Sequence, residues 1–214
     1  MKKLLASMFA LSLTAIGSSA HASIIVYTTQ SSFMSAISAP ATDTFAGFTV
    51  QDVTSSPITR NVGNYRYTAS ATGDFFGEGT SSNPWLSTQN AGDTITFNSF
   101  TGAVSAIGGN FFDTNYYGSP ILGNIILTAT DSSGSVTQTI INAATDSYMG
   151  FVSSNTLKSL TVTPASSGAE VWATVDNLTL AKKGPSSNVP EPTSVALMGL
   201  GIAGLALASR KKQK

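Results

Sequence analysis

Between Ser23 and Leu180, apolar and polar residues alternate with period two, and turn-forming residues break the alternation at intervals of roughly 8–20 positions. The alternation predicts strands at 24–28, 44–48, 65–71, 94–98, 104–111 and 125–130. Beyond these it predicts 136–141, 150–152, 157–163, 171–175 and 178–180. Asp131-Ser132-Ser133-Gly134 separates two alternating runs and reads as a hairpin turn. One stretch, 30–38, breaks the period: Phe33 and Ile37 stand i,i+4 behind Thr29, the pattern of a short capped helix. No helical pattern is long enough to serve as a crossover, which argues against a parallel α/β sheet. The expected fold is all-β, an antiparallel β-sandwich or jelly roll of about ten short strands.

Two apolar runs lie outside this pattern. Lys2 and Lys3 precede an uncharged run at 4–16, and Ala20-His21-Ala22 places small residues three and one before a cleavage bond. A secretory signal peptide over 1–22, cut between Ala22 and Ser23, is the expectation. A helix of that run rises only about 20 Å, short of the roughly 30 Å hydrocarbon core, so it does not read as a permanent anchor. The second run, 193–209, has 17 residues without a charge and leads directly into Arg210, Lys211 and Lys212. Its helix would span about 25 Å, and the basic tail predicts a single transmembrane helix with a cytoplasmic C-terminus. Residues 181–188 are polar, contain Gly184 and Pro185, and read as a linker. That leaves one domain, 23–180, long enough for a core without disulfide staples.

Charge changes the picture of partners. Charged residues make up 10% of the chain, against roughly 25% in an average domain. The 11 basic and 11 acidic side chains cancel overall but are segregated. Residues 23–188 carry five bases against ten acids, while the two ends carry six bases and one acid. An acidic domain offers no basic face to phosphates, so no nucleic-acid partner is expected. There is no cysteine, and the sole histidine, His21, lies in the removable segment. The mature domain therefore lacks the residues for a thiolate or histidine zinc site, a cysteine nucleophile or a Ser-His-Asp triad.

Val189-Pro190-Glu191-Pro192, the short hydrophobic helix after it and the terminal basic cluster occur in fixed order. This combination resembles the PEP-CTERM sorting signal of Gram-negative bacteria. The resemblance implies recognition and cleavage by exosortase, a membrane-embedded cysteine enzyme, after export by the general secretory machinery. It also implies a transient membrane anchor and then a cell-surface or extracellular location. The central region is similar to exported domains commonly paired with such tails, through Trp85-Leu86-Ser87, the run 93–97, the run 106–112, Gly150-Phe151-Val152 and the run 173–178. That likeness supports the sandwich and implies no activity.

Candidate chemistry is sparse. Asp74 and Glu78 lie in a Gly-rich stretch flanked by Tyr65, Tyr67 and Trp85, a carboxylate pair of the kind a polysaccharide hydrolase uses, or simply acids that keep a loop wet. In architecture the domain resembles jelly-roll carbohydrate-binding modules, and that resemblance implies a structural calcium held by Asp43 and Asp176. The plainer reading of Asp176 is an Asx-type turn at a strand junction. Tyr116-Tyr117 and Phe75-Phe76 are either sugar-stacking platforms or core and hairpin aromatics. Asn177-Leu178-Thr179 matches a glycosylation sequon, coincidental inside a strand of a bacterial chain. Five Thr-x-Thr triplets recur at irregular intervals of 52, 34, 9 and 24, which argues for the wet faces of ordinary strands rather than a water-ordering array. The leading expectation is an exported, non-enzymatic surface or matrix protein associated with exopolysaccharide, and its rival is a hydrolase built on Asp74 and Glu78.

Overall fold

The computed structural model describes residues 23–165 and 170–185, and within them the period-two pattern becomes fifteen strands and one short helix. The expected signal peptide, the latter part of the linker, the sorting motif, the apolar helix and the basic tail lie outside the described residues. In chain order the elements begin β1 (Ile24–Tyr27), α1 (Gln30–Ser35), β2 (Ile37–Asp43), β3 (Val53–Thr54), β4 (Ile58–Val62), β5 (Tyr65–Ser70), β6 (Phe75–Thr80) and β7 (Asn83–Thr88). They continue with β8 (Ile95–Thr101), β9 (Ala106–Thr114), β10 (Pro120–Ile121), β11 (Gly123–Thr130), β12 (Ser135–Ala143), β13 (Tyr148–Ser153), β14 (Ser159–Pro164) and β15 (Trp172–Lys183).

These strands form two antiparallel sheets. The nine-stranded sheet runs β1-β13-β9-β15-β7-β6-β3, with β10 added on β9 and β2 on β15. The six-stranded sheet runs β12-β11-β14-β8-β5-β4. The expected all-β sandwich is the observed one. Its core is what alternation dictates, one apolar face from each sheet. Phe75, Leu86, Phe111 and Val175 come from the larger sheet, and Tyr67, Phe97, Leu127 and Leu160 from the smaller.

Local signals explain the first helix and the clearest turn. Thr29 Oγ1 accepts the Ser32 N–H at 3.3 Å, and Phe33 on the next turn is fully buried. Phe33 packs against Tyr27 and Tyr148 and lies directly over Gly150, where a β-carbon would collide with its ring. Helix α1 thus covers one end of the larger sheet, over Ala106, Val152 and Ala181. It stops at Ser35, and Ile37 already belongs to β2, so the expected helix is shorter than 30–38. At the hairpin between β11 and β12, Asp131 Oδ1 accepts the N–H groups of Ser133 and Gly134. Burial alone would raise the Asp131 pKa. The hydroxyls of Ser133 and Ser153, with the two amides, outweigh it and hold the value down to about 2.

The ends of the domain differ from expectation. Strand β15 runs unbroken from Trp172 through Lys183, with Lys182 opposite Ser38 and Lys183 opposite Ile37. The first three residues assigned to the linker are therefore part of a central strand, held by pairing that polarity alone does not reveal. Residues 44–48, expected as a strand, form a turn in which Phe45 takes φ 53°.

Candidate functional site

Four strands of the larger sheet bring a buried polar cluster to its outer face. Glu78 on β6, only 5% exposed, is surrounded by hydroxyls from Ser87 on β7, Thr174 on β15 and Thr114 on β9. Thr174 Oγ1 lies 3.0 Å from both Ser87 Oγ and Thr114 Oγ1, and donates to Glu78 Oε2 at 3.4 Å. Burial pushes the Glu78 carboxyl upward from its ordinary value, and the three hydroxyls oppose that shift without cancelling it. The cluster is a consequence of register. Ser87 pairs with Thr174 and Phe76 with Ser87, so Glu78 and Thr114, each two residues beyond a member of that row, share its face.

The loop between β9 and β10 roofs this carboxylate. Asn115 Oδ1 accepts the N–H groups of Tyr117 and Ser119, and Gly118 at φ 71° brings the backbone against Glu78. The loop lifts Tyr116 and Tyr117 into solvent, 75% and 84% exposed. Their rings meet edge-on at 5.5 Å, and Tyr116 reaches Trp172 at 6.1 Å. Trp172 is itself fixed by Nε1–H donating to the Gln89 carbonyl at 3.0 Å. Two hollows flank Tyr116, both touching Glu78 and Phe76. One, of about 280 Å³, has Tyr117 as its wall, and the other, of about 400 Å³, has Trp172. A wider hollow of about 600 Å³ beside Thr29 and Ile141 offers Asp146 but no paired aromatic wall, so the chemistry concentrates at Glu78.

The two expected carboxylate pairs fare differently from the sequence reading. Asp74 precedes β6 by one residue, and its Oδ1 accepts the Ser56 N–H at 3.0 Å. Four residues of extended chain separate its α-carbon from that of Glu78 by about 13 Å, and no hydrogen bond joins the two side chains to a shared partner among those described. Asp43 is consumed by an inter-sheet ion pair. Arg60 on β4 donates from Nε to Oδ2 at 2.6 Å and from Nη2 to Oδ1 at 2.7 Å. Tyr67 Oη–H and the Phe45 N–H complete the shell at 2.9 and 2.8 Å, and Arg60 lies 5.6 and 5.0 Å from the ring centres of Phe45 and Phe48. A carboxylate so committed to a guanidinium is not free to ligate calcium.

Asp176 sits on the strand next to Asp43, whose own pairing partner is Leu178. It lies at a bulge, not at a strand junction, with Asn177 at φ 53°. Its Oδ2 accepts from Asn83 and Asn177, and its Oδ1 is buried without a hydrogen-bond partner. Among the described residues no three Asp, Glu, His or Cys side chains come together as metal ligands. The residues present therefore do not fit the expected calcium pair. Phe75 is core and Phe76 lines the Glu78 hollows, whereas Tyr116 and Tyr117 are the exposed platform.

Sequence reasoning missed Ser87, Thr114, Trp172 and Thr174, because they come from three other strands and no local pattern marks them. The comparisons with known proteins bear on the tail rather than on this face. No curated protein matches the chain. The model of the PEP-CTERM protein-sorting motif matches residues 188–212. The match covers Val189-Pro190-Glu191-Pro192, the apolar run and the first three residues of the basic tail. The chain thus carries a PEP-CTERM sorting motif, the mark of an exported protein sorted by an exosortase.

Proposed function

We propose that the β-sandwich is a non-enzymatic glycan-binding module, displayed at the cell surface or in the extracellular matrix once the tail has been processed. The observation that carries this reading is the aromatic wall of exposed Tyr116 and Tyr117 and half-buried Trp172 beside a single hydroxyl-ringed carboxylate. Aromatic faces stack on the apolar side of a sugar ring, while Glu78, held from behind by its buried hydroxyl neighbours, lines both hollows and suits sugar hydroxyls. The engagement of Asp74 by the Ser56 amide, away from the hydroxyl ring of Glu78, supports binding over hydrolysis. Isothermal titration of the detergent-solubilised full chain with the producing cell's exopolysaccharide tests the reading. Tyr116→Ala combined with Tyr117→Ala is expected to weaken binding at least about tenfold with little change in Tm. Unchanged affinity would remove the glycan reading, and release of reducing ends that Glu78→Gln abolishes would replace it with the hydrolase.

The tail supports a second expectation. Pro190 and Pro192 lack backbone donors and disfavour helix through Glu191, as suits a segment whose backbone an enzyme must reach. The mature surface form should lack Arg210 through Lys214. Replacing residues 190–192 with alanines should trap the uncleaved precursor in the membrane. Mass spectrometry of protein from the native host reads both forms, and an intact Lys214 terminus in the wild-type surface fraction would leave a simple tail anchor as the better description.

A further inference from the structure

Strand β12 is an edge of the six-stranded sheet, and up to the bulge at 141–142 it carries none of the devices that normally protect an edge from pairing with another chain. It is nine residues long and contains no charge, no proline and no glycine. The other edges among the described residues are guarded. Strand β1 has four residues and β3 has two, β2 carries Pro40, and β4 carries Arg60 and follows Pro57. Along β12, Thr137, Gln138 and Thr139 are exposed, and so is Ile141 at 64%.

The free hydrogen-bonding groups of β12 can be assigned. The Asp131 N–H donates to the Gly134 carbonyl, which makes 131 and 134 a hydrogen-bonded pair at the turn. Antiparallel alternation then turns Val136, Gln138 and Ile140 toward β11. The amides and carbonyls of Ser135, Thr137, Thr139 and Ile141 point away from the sheet. The run ends where Asn142 adopts φ 50° and donates to the Asn124 side chain.

The sequence on this edge is its own complement. Read from Gln138 outward, both directions give threonine and then a β-branched apolar residue: Thr137 and Val136 one way, Thr139 and Ile140 the other. We infer that β12 pairs antiparallel with β12 of a second copy of this chain about a two-fold axis at Gln138, joining two six-stranded sheets into one of twelve strands. In that register Thr137 faces Thr139 and Val136 faces Ile140 across the axis, so like meets like on both faces. Parity agrees as well. Thr137 and Thr139 become hydrogen-bonded pairs using their outward groups, and the two Gln138 residues meet as a close non-hydrogen-bonded pair. The pairing also continues the threonine rows on the outer face, where Thr137, Thr128, Thr161 and Thr96 lie in register across four strands.

The absence of cysteine makes the test direct. In the full chain in detergent, Gln138→Cys should form an intermolecular disulfide readily, because that pair brings its α-carbons to about 4.5 Å. Ser135→Cys should not, since its own copy lies six residues away along the strand, about 20 Å. Light scattering should show a dimer, and Thr137→Lys with Thr139→Lys should weaken it at least about tenfold while Tm is kept. As a second probe, Thr139→Pro removes only an outward amide and should have the same effect. A chain monomeric at all concentrations overturns the inference. Equal crosslinking at 135 and 138, or a dimer indifferent to the lysines, does so too, by placing any self-association elsewhere.

Discussion

An Arg60→Ala variant is expected to lose about 3–5 kcal/mol of stability, because it leaves the Asp43 carboxylate buried and unpaired between the sheets. Both Asp43 oxygens are engaged by Arg60, Tyr67 and the Phe45 amide, and the side chain is only 5% exposed. Burial, followed by the Asp43 charge, already drives the Tyr67 hydroxyl pKa strongly upward, so that hydroxyl stays protonated and keeps donating. The matching apolar replacement, Asp43→Leu with Arg60→Met, should recover most of the loss, since the pair offsets its own desolvation rather than adding a large surplus. Urea unfolding of the single and double variants measures both. A loss below about 1 kcal/mol for Arg60→Ala would mean that the ion pair is not what joins β2 to β4.

The second large effect concerns Asp113. This side chain is 1% exposed, its Oδ1 has no hydrogen-bond partner, and it packs so closely on Gly123 that a β-carbon there would collide with it. Burial pushes its pKa up to about 7. The fold therefore prefers the protonated form, whereas the unfolded chain ionises near its ordinary value of about 4. The stability linked to this proton is fully present below about pH 4, declines as pH rises, and is gone above about pH 7. Asp113→Asn keeps the shape and removes the ionisation. It should stabilise the protein by about 2–4 kcal/mol at pH 8 and leave it nearly unchanged at pH 4. Thermal unfolding at the two pH values decides the matter: an equal effect at both would show that ionisation of Asp113 is not the cause.

What the sequence made legible was local. The Thr29 cap, the Asp131 hairpin and the alternating strands depend on residues a few positions apart, and they are present except at 44–48, where the chain turns instead. The hairpin of β6 and β7 reads as a Gly-rich loop because Gly77 and Gly79 lower its strand propensity. Its glycines are required by close approach, as a β-carbon at Gly77 would strike the Thr49 backbone. Strand β2 was hidden by Pro40, which an outer strand tolerates. The threonine triplets looked irregular in chain order, yet three of the five fall on β12, β11 and β14 and a fourth runs into β8, and these strands are consecutive in the sheet. Sheet order is not sequence order, so no spacing rule could have shown it. The same limit applies to the candidate site: Glu78 was visible, but its partners and the commitment of Asp43 to Arg60 arise only from long-range pairing.

The position of β15 governs when this protein acquires its shape. The last strand is also a central one, bonded to β9 along one side and to β7 and then β2 along the other. Thr42 and Thr179, 137 residues apart, share a hydrogen bond across it. Until residues 172–183 arrive, the larger sheet is divided into three groups of strands that no hydrogen-bonded strand joins. Such late, distant pairing makes for slow folding. Only four residues separate Lys183 from the start of the matched sorting motif, about 14 Å of fully extended chain. The sorting motif is therefore tethered close against a finished central strand, and an enzyme that acts on it must work next to the sandwich.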